Sequence, residues 1–200
     1  SVTGSATVGG ASGTGVDIGP TAALLAGTGG LTVTGSVSSS TTATAIVATS
    51  VQGTATSSGA ISISGTVSAP SAANATGVSL SGGSVSATGS ATITITGSGV
   101  PAPAPASSYD VALAGTTVSS AGGLVKFVGD RINIASSVNS GTGRTMFVPF
   151  TSTGRAITLG GTNEPAALNL SSTESNNVTA STLAVGGNSH NRGLATGNSG

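Results

Sequence analysis

Apolar residues return along this chain in a short phrase: an apolar residue, a small polar one, another apolar one, then Gly, Ser or Thr. Copies are Val16-Asp17-Ile18-Gly19, Leu31-Thr32-Val33-Thr34-Gly35, Ile61-Ser62-Ile63-Ser64-Gly65, Val78-Ser79-Leu80-Ser81-Gly82 and Ile93-Thr94-Ile95-Thr96-Gly97. Further copies are Val111-Ala112-Leu113-Ala114-Gly115, Ile132-Asn133-Ile134, Ile157-Thr158-Leu159-Gly160, Leu168-Asn169-Leu170 and Leu183-Ala184-Val185-Gly186. With Ile46-Val47 counted, the early copies begin at 16, 31, 46, 61, 78 and 93, in steps of 15, 15, 15, 17 and 15. Alternation of apolar and small polar positions predicts half-buried β-strands, and their regular return predicts a stacked repeat.

Each phrase carries a second beat, a valine five to seven residues after its start: Val37, Val51, Val67, Val85, Val100, Val118 and Val138. A strand, a Gly-containing corner and a second short strand would place both beats in one coil of about 15–21 residues. The fold expected is therefore all-β, a right-handed parallel β-helix (β-solenoid). Some eleven such rungs at about 4.8 Å spacing would give a rod on the order of 50 Å long. An antiparallel β-sandwich is the alternative, since it also expects strands every 8–12 residues. The tight hairpin dipeptides Asn-Gly and Asp-Gly are absent, however, which favours the solenoid. Helix signals are sparse; Thr21-Ala22-Ala23-Leu24-Leu25-Ala26-Gly27 suits one or two turns of helix, or a loop.

Composition supports a thin, small-residue core. Of 200 residues, 5% are charged and 2% aromatic, with 33 glycines and no cysteine. That is far below the roughly 25% charge of ordinary domains, yet 36% of residues are hydrophobic, so the chain does not have the composition of a disordered one. Formal net charge is zero, which leaves no electrostatic footprint for nucleic acid. No run of 18 apolar residues predicts a membrane span, and no cofactor motif stands out. Abundant Ser and Thr with little charge suggest an extracellular setting. The chain divides at Val100-Pro101-Ala102-Pro103-Ala104-Pro105-Ala106, where alternating Pro-Ala favours an extended spacer. Residues 1–99 form a nearly uncharged Gly/Ser/Thr/Ala array, 100–106 the spacer, and 107–200 a less regular segment holding nine of the ten charged residues and all three Phe.

Within 107–200 lie Gly154-Arg155-Ala156-Ile157-Thr158-Leu159-Gly160-Gly161, Ala167-Leu168-Asn169-Leu170-Ser171-Ser172-Thr173-Glu174 and Asn177-Val178-Thr179-Ala180-Ser181-Thr182-Leu183-Ala184-Val185-Gly186. This succession resembles the strand repeats of very large secreted bacterial proteins of the filamentous-haemagglutinin type, over roughly 154–187. The resemblance implies a right-handed parallel β-helix exported to the bacterial cell surface and used as an adhesin or extracellular fibre.

Signals for chemistry are weak. His190, the sole histidine, sits in Gly187-Asn188-Ser189-His190-Asn191-Arg192-Gly193, which reads as an exposed loop. No Ser has glycines at both −2 and +2, so the nucleophile-elbow spacing is missing. Asp110, Asp130 and Arg131 could pair on successive coils, as a carbohydrate-active β-helix would need, but an ordinary Asp130–Arg131 turn with solvated charges is the favoured account. Five scattered acids cannot build a Ca²⁺-binding array. Gly27-Thr28-Gly29-Gly30 and Gly141-Thr142-Gly143-Arg144 lack the endings of phosphate loops and read as corners. Asn74, Asn169 and Asn177 head the triplets Asn74-Ala75-Thr76, Asn169-Leu170-Ser171 and Asn177-Val178-Thr179, candidate glycosylation sites. Phe127, Met146, Phe147 and Phe150 are the bulkiest apolar group, either a contact patch for a neighbouring subunit or filling for a wider part of the core.

The function expected is structural or adhesive and not enzymatic: a β-solenoid shaft or self-assembling fibre subunit, partnered by copies of itself or by a glycan or protein ligand of host or matrix. Neither a catalytic residue nor a metal ligand is expected. The alternatives are a carbohydrate-active β-helix enzyme and an ice-binding solenoid, whose usual surface is Thr-x-Thr rows.

Overall fold

The structure, a computed structural model, describes residues 1–8, 12–39, 46–68, 73–100, 107–151, 155–160 and 167–186. Three parallel sheets wind around one core. Sheet A holds β1 (Val2–Val8), β4 (Leu31–Ser39), β7 (Ile61–Ser68), β10 (Ile93–Ser98), β13 (Val125–Val128), β16 (Arg144–Val148) and β20 (Thr182–Val185), in that order. Sheet B holds β2 (Gly13–Ile18), β5 (Ile46–Val51), β8 (Ala75–Leu80), β11 (Tyr109–Leu113) and β14 (Ile132–Ile134). Sheet C holds β3 (Ala23–Ala26), β6 (Thr54–Ser57), β9 (Ser84–Ala87), β12 (Thr117–Ser120), β15 (Val138–Asn139) and β19 (Val178–Thr179). A separate pair, β17 (Ala156–Leu159) and β18 (Ala167–Leu170), and a five-residue helix α1 (Ser172–Asn176) precede β19. This is a parallel β-helix, as the strand phrases lead one to expect.

The length of its coil differs from the expected 15–21 residues. Val33 stacks on Val2, Ile63 on Val33, Ile95 on Ile63 and Phe127 on Ile95. A full turn therefore takes 30–32 residues, and the 15-residue step is half a turn. Alternate phrases stack on each other: those at 31, 61 and 93 in sheet A, those at 16, 78 and 111 in sheet B, where Thr49-Ser50-Val51, not Ile46-Val47, fills the layer between the first two. The third strand of each turn reads as a trailing valine where the sequence marks it at all, at Val85, Val118 and Val138, and is silent in β6, whose inward residues Ala55 and Ser57 are small. One of these strands is β3, where the sequence suggested helix or loop. Ala23 to Ala26 pair in parallel with Thr54 to Ser57. Six steps of about 4.8 Å separate the seven strands of sheet A among the described residues, so the described stack is roughly 30 Å long, where eleven rungs would give about 50 Å.

The trailing valines do not share one structural position. Val85, Val118 and Val138 stack inside sheet C. Val37 and Val67 extend the tails of β4 and β7 into a second, smaller core with Ala48 and Ala75, against which Ala6 and Val100 pack.

Two cores exist because sheets A and B pinch together. Gly4, Gly35, Gly65 and Gly97 stack in sheet A. A β-carbon on Gly35 would lie 1.9 Å from the carbonyl oxygen of Ala48, and one on Gly65 1.9 Å from that of Gly77. No side chain fits there, so the glycine column forms a waist. The main core beside it is built from columns of one residue per turn. Leu31, Ile61, Ile93 and Val125 form one, and Ile18, Val51, Leu80, Leu113 and Ile134 another.

The small lobe ends abruptly. From Val125 to its neighbour above, Thr145, the step is only 20 residues, because the chain passes from β13 to β14 through Gly129, Asp130 and Arg131 alone. The sheets run on past 100–106, whose residues 101–106 lie outside those described.

Candidate functional site

Three surfaces warrant attention, and the first is the outer face of sheet A. Its outward columns are almost entirely hydroxyls: Thr3, Thr34, Ser64 and Thr96 in one, Thr32, Ser62 and Thr94 in the next, Ser5, Ser36, Thr66 and Ser98 in a third. Parallel pairing in register places like residues at the same height on successive turns, so the alternation of the phrase becomes a lattice. Spacing is about 4.8 Å between turns and about 6.6 Å between alternate residues of a strand. Some hydroxyls bond along the columns, Ser64 Oγ to Thr34 Oγ1 at 3.2 Å and Thr66 Oγ1 with Ser98 Oγ at 3.3 Å. Such bonds hold the rotamers; Thr34, Ser64 and Thr66 keep some exposure, whereas Ser98 is buried. Beyond the fourth turn the columns change character, reaching Lys126 and Met146 in one, Val128 and Val148 in another.

The second is the corner that closes the small lobe. Asp110 Oδ2 accepts the backbone N–H groups of Asp130 at 2.7 Å and Arg131 at 3.0 Å. Asp110 is only 4% exposed. Burial pushes its carboxyl up to about 6 and the negative charge of Asp130 adds to this, while the amides of Arg131, Asp130 and Val100 pull it down. Asp130 accepts the N–H of Thr151 at 2.9 Å and also its hydroxyl. The Arg155 guanidinium donates to the Asp130 carbonyl at 2.8 Å, and that of Arg131 lies 5.5 Å from the centre of the Tyr109 ring. The structure thus brings Asp110, Asp130 and Arg131 together, as the sequence allowed. Asp110, however, is sealed in and occupied by amides, so it presents no carboxylate to a substrate. No group of three or more His, Cys, Asp or Glu residues suited to a metal occurs among the described residues.

The third is the C-terminal end of the stack. Ser171 caps α1, receiving the N–H of Glu174 at 3.2 Å, while Glu174 Oε2 accepts the N–H of Ser171 at 2.9 Å. Glu174 Oε1 accepts the N–H of Ile134 at 3.1 Å, and Asn177 Nδ2 donates to the Ile134 carbonyl at 2.7 Å. Two side chains thereby satisfy the edge of β14, the last strand of sheet B. Outside this cap, Ile157, Leu159, Leu170, Ser175, Leu183 and Val185 line an apolar cavity of about 410 Å³.

Several expected site residues lie elsewhere than a surface site requires. Phe127 and Phe147 do not form a contact patch: both are buried, their rings stacked 5.1 Å apart in the core. They stack because sheet A puts Phe147 directly over Phe127. Met146 points outward, half-buried, and Phe150 is 51% exposed, so the four never make one surface. As to glycosylation, Asn169 is buried and accepts from Thr158 Oγ1 at 2.7 Å, and the amide of Asn177 is engaged on Ile134. Only Asn74 of the three is exposed. The two glycine clusters are corners: Gly30 has φ +78° and Gly141 φ +57°, left-handed conformations that glycine adopts freely. His190 lies outside the described residues. The edge-capping role of Glu174 and Asn177 was missed by sequence reasoning; the Ser171-Ser172-Thr173-Glu174 capping box was the available signal.

No described helix is long and apolar enough to cross a membrane. Comparison with known families, with curated proteins and with solved structures finds no match to this chain.

Proposed function

We propose that the chain is a structural and adhesive shaft of the extracellular surface, a short β-solenoid that holds a neutral hydroxyl face toward a glycan-bearing partner. The observation that carries this reading is the lattice of Ser and Thr columns across the first four turns of sheet A. Rows of donors and acceptors at fixed spacing suit sugar hydroxyls, each contact weak and the sum raised by repetition. The resemblance of 154–187 to secreted bacterial strand repeats, and the scarcity of charge, agree with an exported, surface-bound role. The direct test is binding of the chain, displayed in many copies on beads, to an array of glycans and matrix proteins. Replacing Thr34, Thr94 and Thr96 together by Val should lower retention at least tenfold while leaving the fold intact. Equal retention by the two forms would remove the face from the account.

The same lattice supports a second reading, an ice-binding face, since a flat hydroxyl grid also orders water. Thermal hysteresis in a freezing assay distinguishes it: a gap between melting and freezing points would favour ice, and its absence would leave the adhesive reading.

A further inference from the structure

The corner between β13 and β14 consists of Gly129, Asp130 and Arg131, and backbone bonds fix both of its ends. Gly129 donates its N–H to the Val148 carbonyl at 3.0 Å, and the Arg131 carbonyl accepts the N–H groups of Asp110 at 2.8 Å and Val111 at 3.2 Å. Between these anchors the N–H groups of Asp130 and Arg131 both turn to one side-chain oxygen, Asp110 Oδ2. The Asp110 carboxyl also takes the N–H of Val100, a residue that packs on the small core one layer below. One carboxyl therefore joins the rim of the small lobe to the corner above it.

Other contacts hang on the same corner. The Asp130 carboxylate holds Thr151 through its N–H and its hydroxyl, and the Asp130 carbonyl accepts from Arg155. Thr151 and Arg155 lie between β16 and β17, so this corner positions the connection that follows the next strand of sheet A. The groups around Asp110 come from few elements. Asp130 adds a second negative charge, and Arg131 sets its guanidinium against the Tyr109 ring. Of the strands packed against β11, β8, β10 and β14 carry no titratable side chain, and Lys126 of β13 stands in an outward column of sheet A. Burial and Asp130 thus act against three amides on this carboxyl, and burial prevails.

We propose that Asp110 is a proton-operated latch on this corner. With the proton on, the corner stays shut between its two anchors. With the proton given up to water, the peptides of Asp130 and Arg131 swing outward, water reaches the carboxylate, and Val100, Thr151 and Arg155 are released together. The neutral acid keeps an acceptor for the amides and needs no hydration, whereas the carboxylate has lost its water on burial. Opening restores that water while the anchors keep β11, β13 and β14 in place, so the change is confined to the corner. In the closed corner the carboxyl is pushed up to about 6, and in the open one it returns toward 3.8. The open form therefore gains as pH climbs from about 4 to about 6, and gains nothing further above that. Across this interval the opening equilibrium rises by up to about a hundredfold. The latch stands whether or not the hydroxyl face binds a glycan.

Amide hydrogen exchange of the 200-residue chain, corrected for the intrinsic effect of pH and followed between about pH 4 and pH 7.5, tests it. Protection at Val100, Asp130, Arg131 and Thr151 should fall together by up to about a hundredfold, and should lie below that of Ile63 and Ile95 at every pH. Asp110→Asn should lose this fall. Asp130→Asn removes the neighbouring negative charge and should shrink it, and this variant decides if Asp110→Asn does not fold. His190→Gln should behave as the parent, a necessary control because the sole histidine titrates in the same range. Corner amides as protected as Ile63 at every pH would mean that the corner opens only with the whole stack, and would overturn the latch. So would an equal fall in folded Asp110→Asn, an undiminished fall in Asp130→Asn, or its disappearance in His190→Gln.

Discussion

Asp110 stands where the turns below it carry Gly15, Ala48 and Gly77, each just before the stacked residues Val16, Thr49, Val78 and Val111. The glycine waist presses on the backbone at this position, so Asp110 fits only because its side chain turns into the lobe and closes it. Its carboxylate replaces an apolar layer with an acceptor for the amides of the shortened corner. The arrangement has a pH signature. The folded carboxyl lies near 6 and the unfolded one near 3.8, so the folded state holds its proton more tightly. Stability from this group is fully present below about pH 4 and is lost as pH rises through 6. Two pKa units correspond to about 3 kcal/mol. Asp110→Asn keeps an oxygen for both amides and removes the buried charge. Urea denaturation should therefore show the variant and parent alike near pH 4, with the variant ahead by up to about 3 kcal/mol at pH 7.5. Parallel pH curves for the two proteins would refute the assignment. The sequence allowed Asp110, Asp130 and Arg131 to meet on successive coils but favoured an Asp130–Arg131 turn with solvated charges. It could not tell that Asp110 points inward, because burial here follows from a break in alternation, Asp110 and Val111 both being buried.

Among elements, the strands were legible and their order around the coil was not. A phrase such as Ile61-Ser62-Ile63-Ser64-Gly65 identifies a strand with one buried face, and it does form β7. Nothing in its period says whether the next phrase lies on top of it or one sheet along. That depends on the intervening strand of sheet C, whose column runs Ala55, Val85, Val118 and Val138, so its first members carry little apolar mass and its later ones read only as trailing valines of the preceding phrase. The helix α1 has a different origin. It is too short to persist alone and is held by its capping box and by Glu174 and Asn177 on the edge of β14. Its work is to finish sheet B. Glu174→Ala should leave the Ile134 N–H buried without its acceptor and undo the cap, lowering stability by about 1–3 kcal/mol. Hydrogen exchange should quicken at Ile134 and through α1 while Ile63 and Ile95 stay protected. Uniform loss of protection along the rod would show that α1 supports the whole stack and not its end.

At the scale of the whole molecule the chain is a one-dimensional stack, and its contacts are those of each turn with the turns above and below. Such a stack should tolerate removal of one complete turn if the layers brought together match. Deleting residues 61–92 takes out β7, β8 and β9 and joins Ala60 to Ile93. Leu31 then meets Ile93, Val33 meets Ile95 and Gly35 meets Gly97, because all six already occupy the same columns. In the other sheets Val51 would meet Leu113 and Ala55 would meet Val118, again members of shared columns. The waist stays free of side chains and the main core stays continuous. Deleting only 61–75, one phrase of the 15-residue step, sends a strand built for sheet B into sheet A and removes the glycine from the waist. The deletion of 61–92 should therefore retain a β-type circular dichroism spectrum and a cooperative melt, with Tm lowered by the loss of one layer. That of 61–75 should give an aggregated or unfolded product. The opposite ranking would restore the 15-residue coil, since in that coil every phrase is a full turn and the shorter deletion is the silent one.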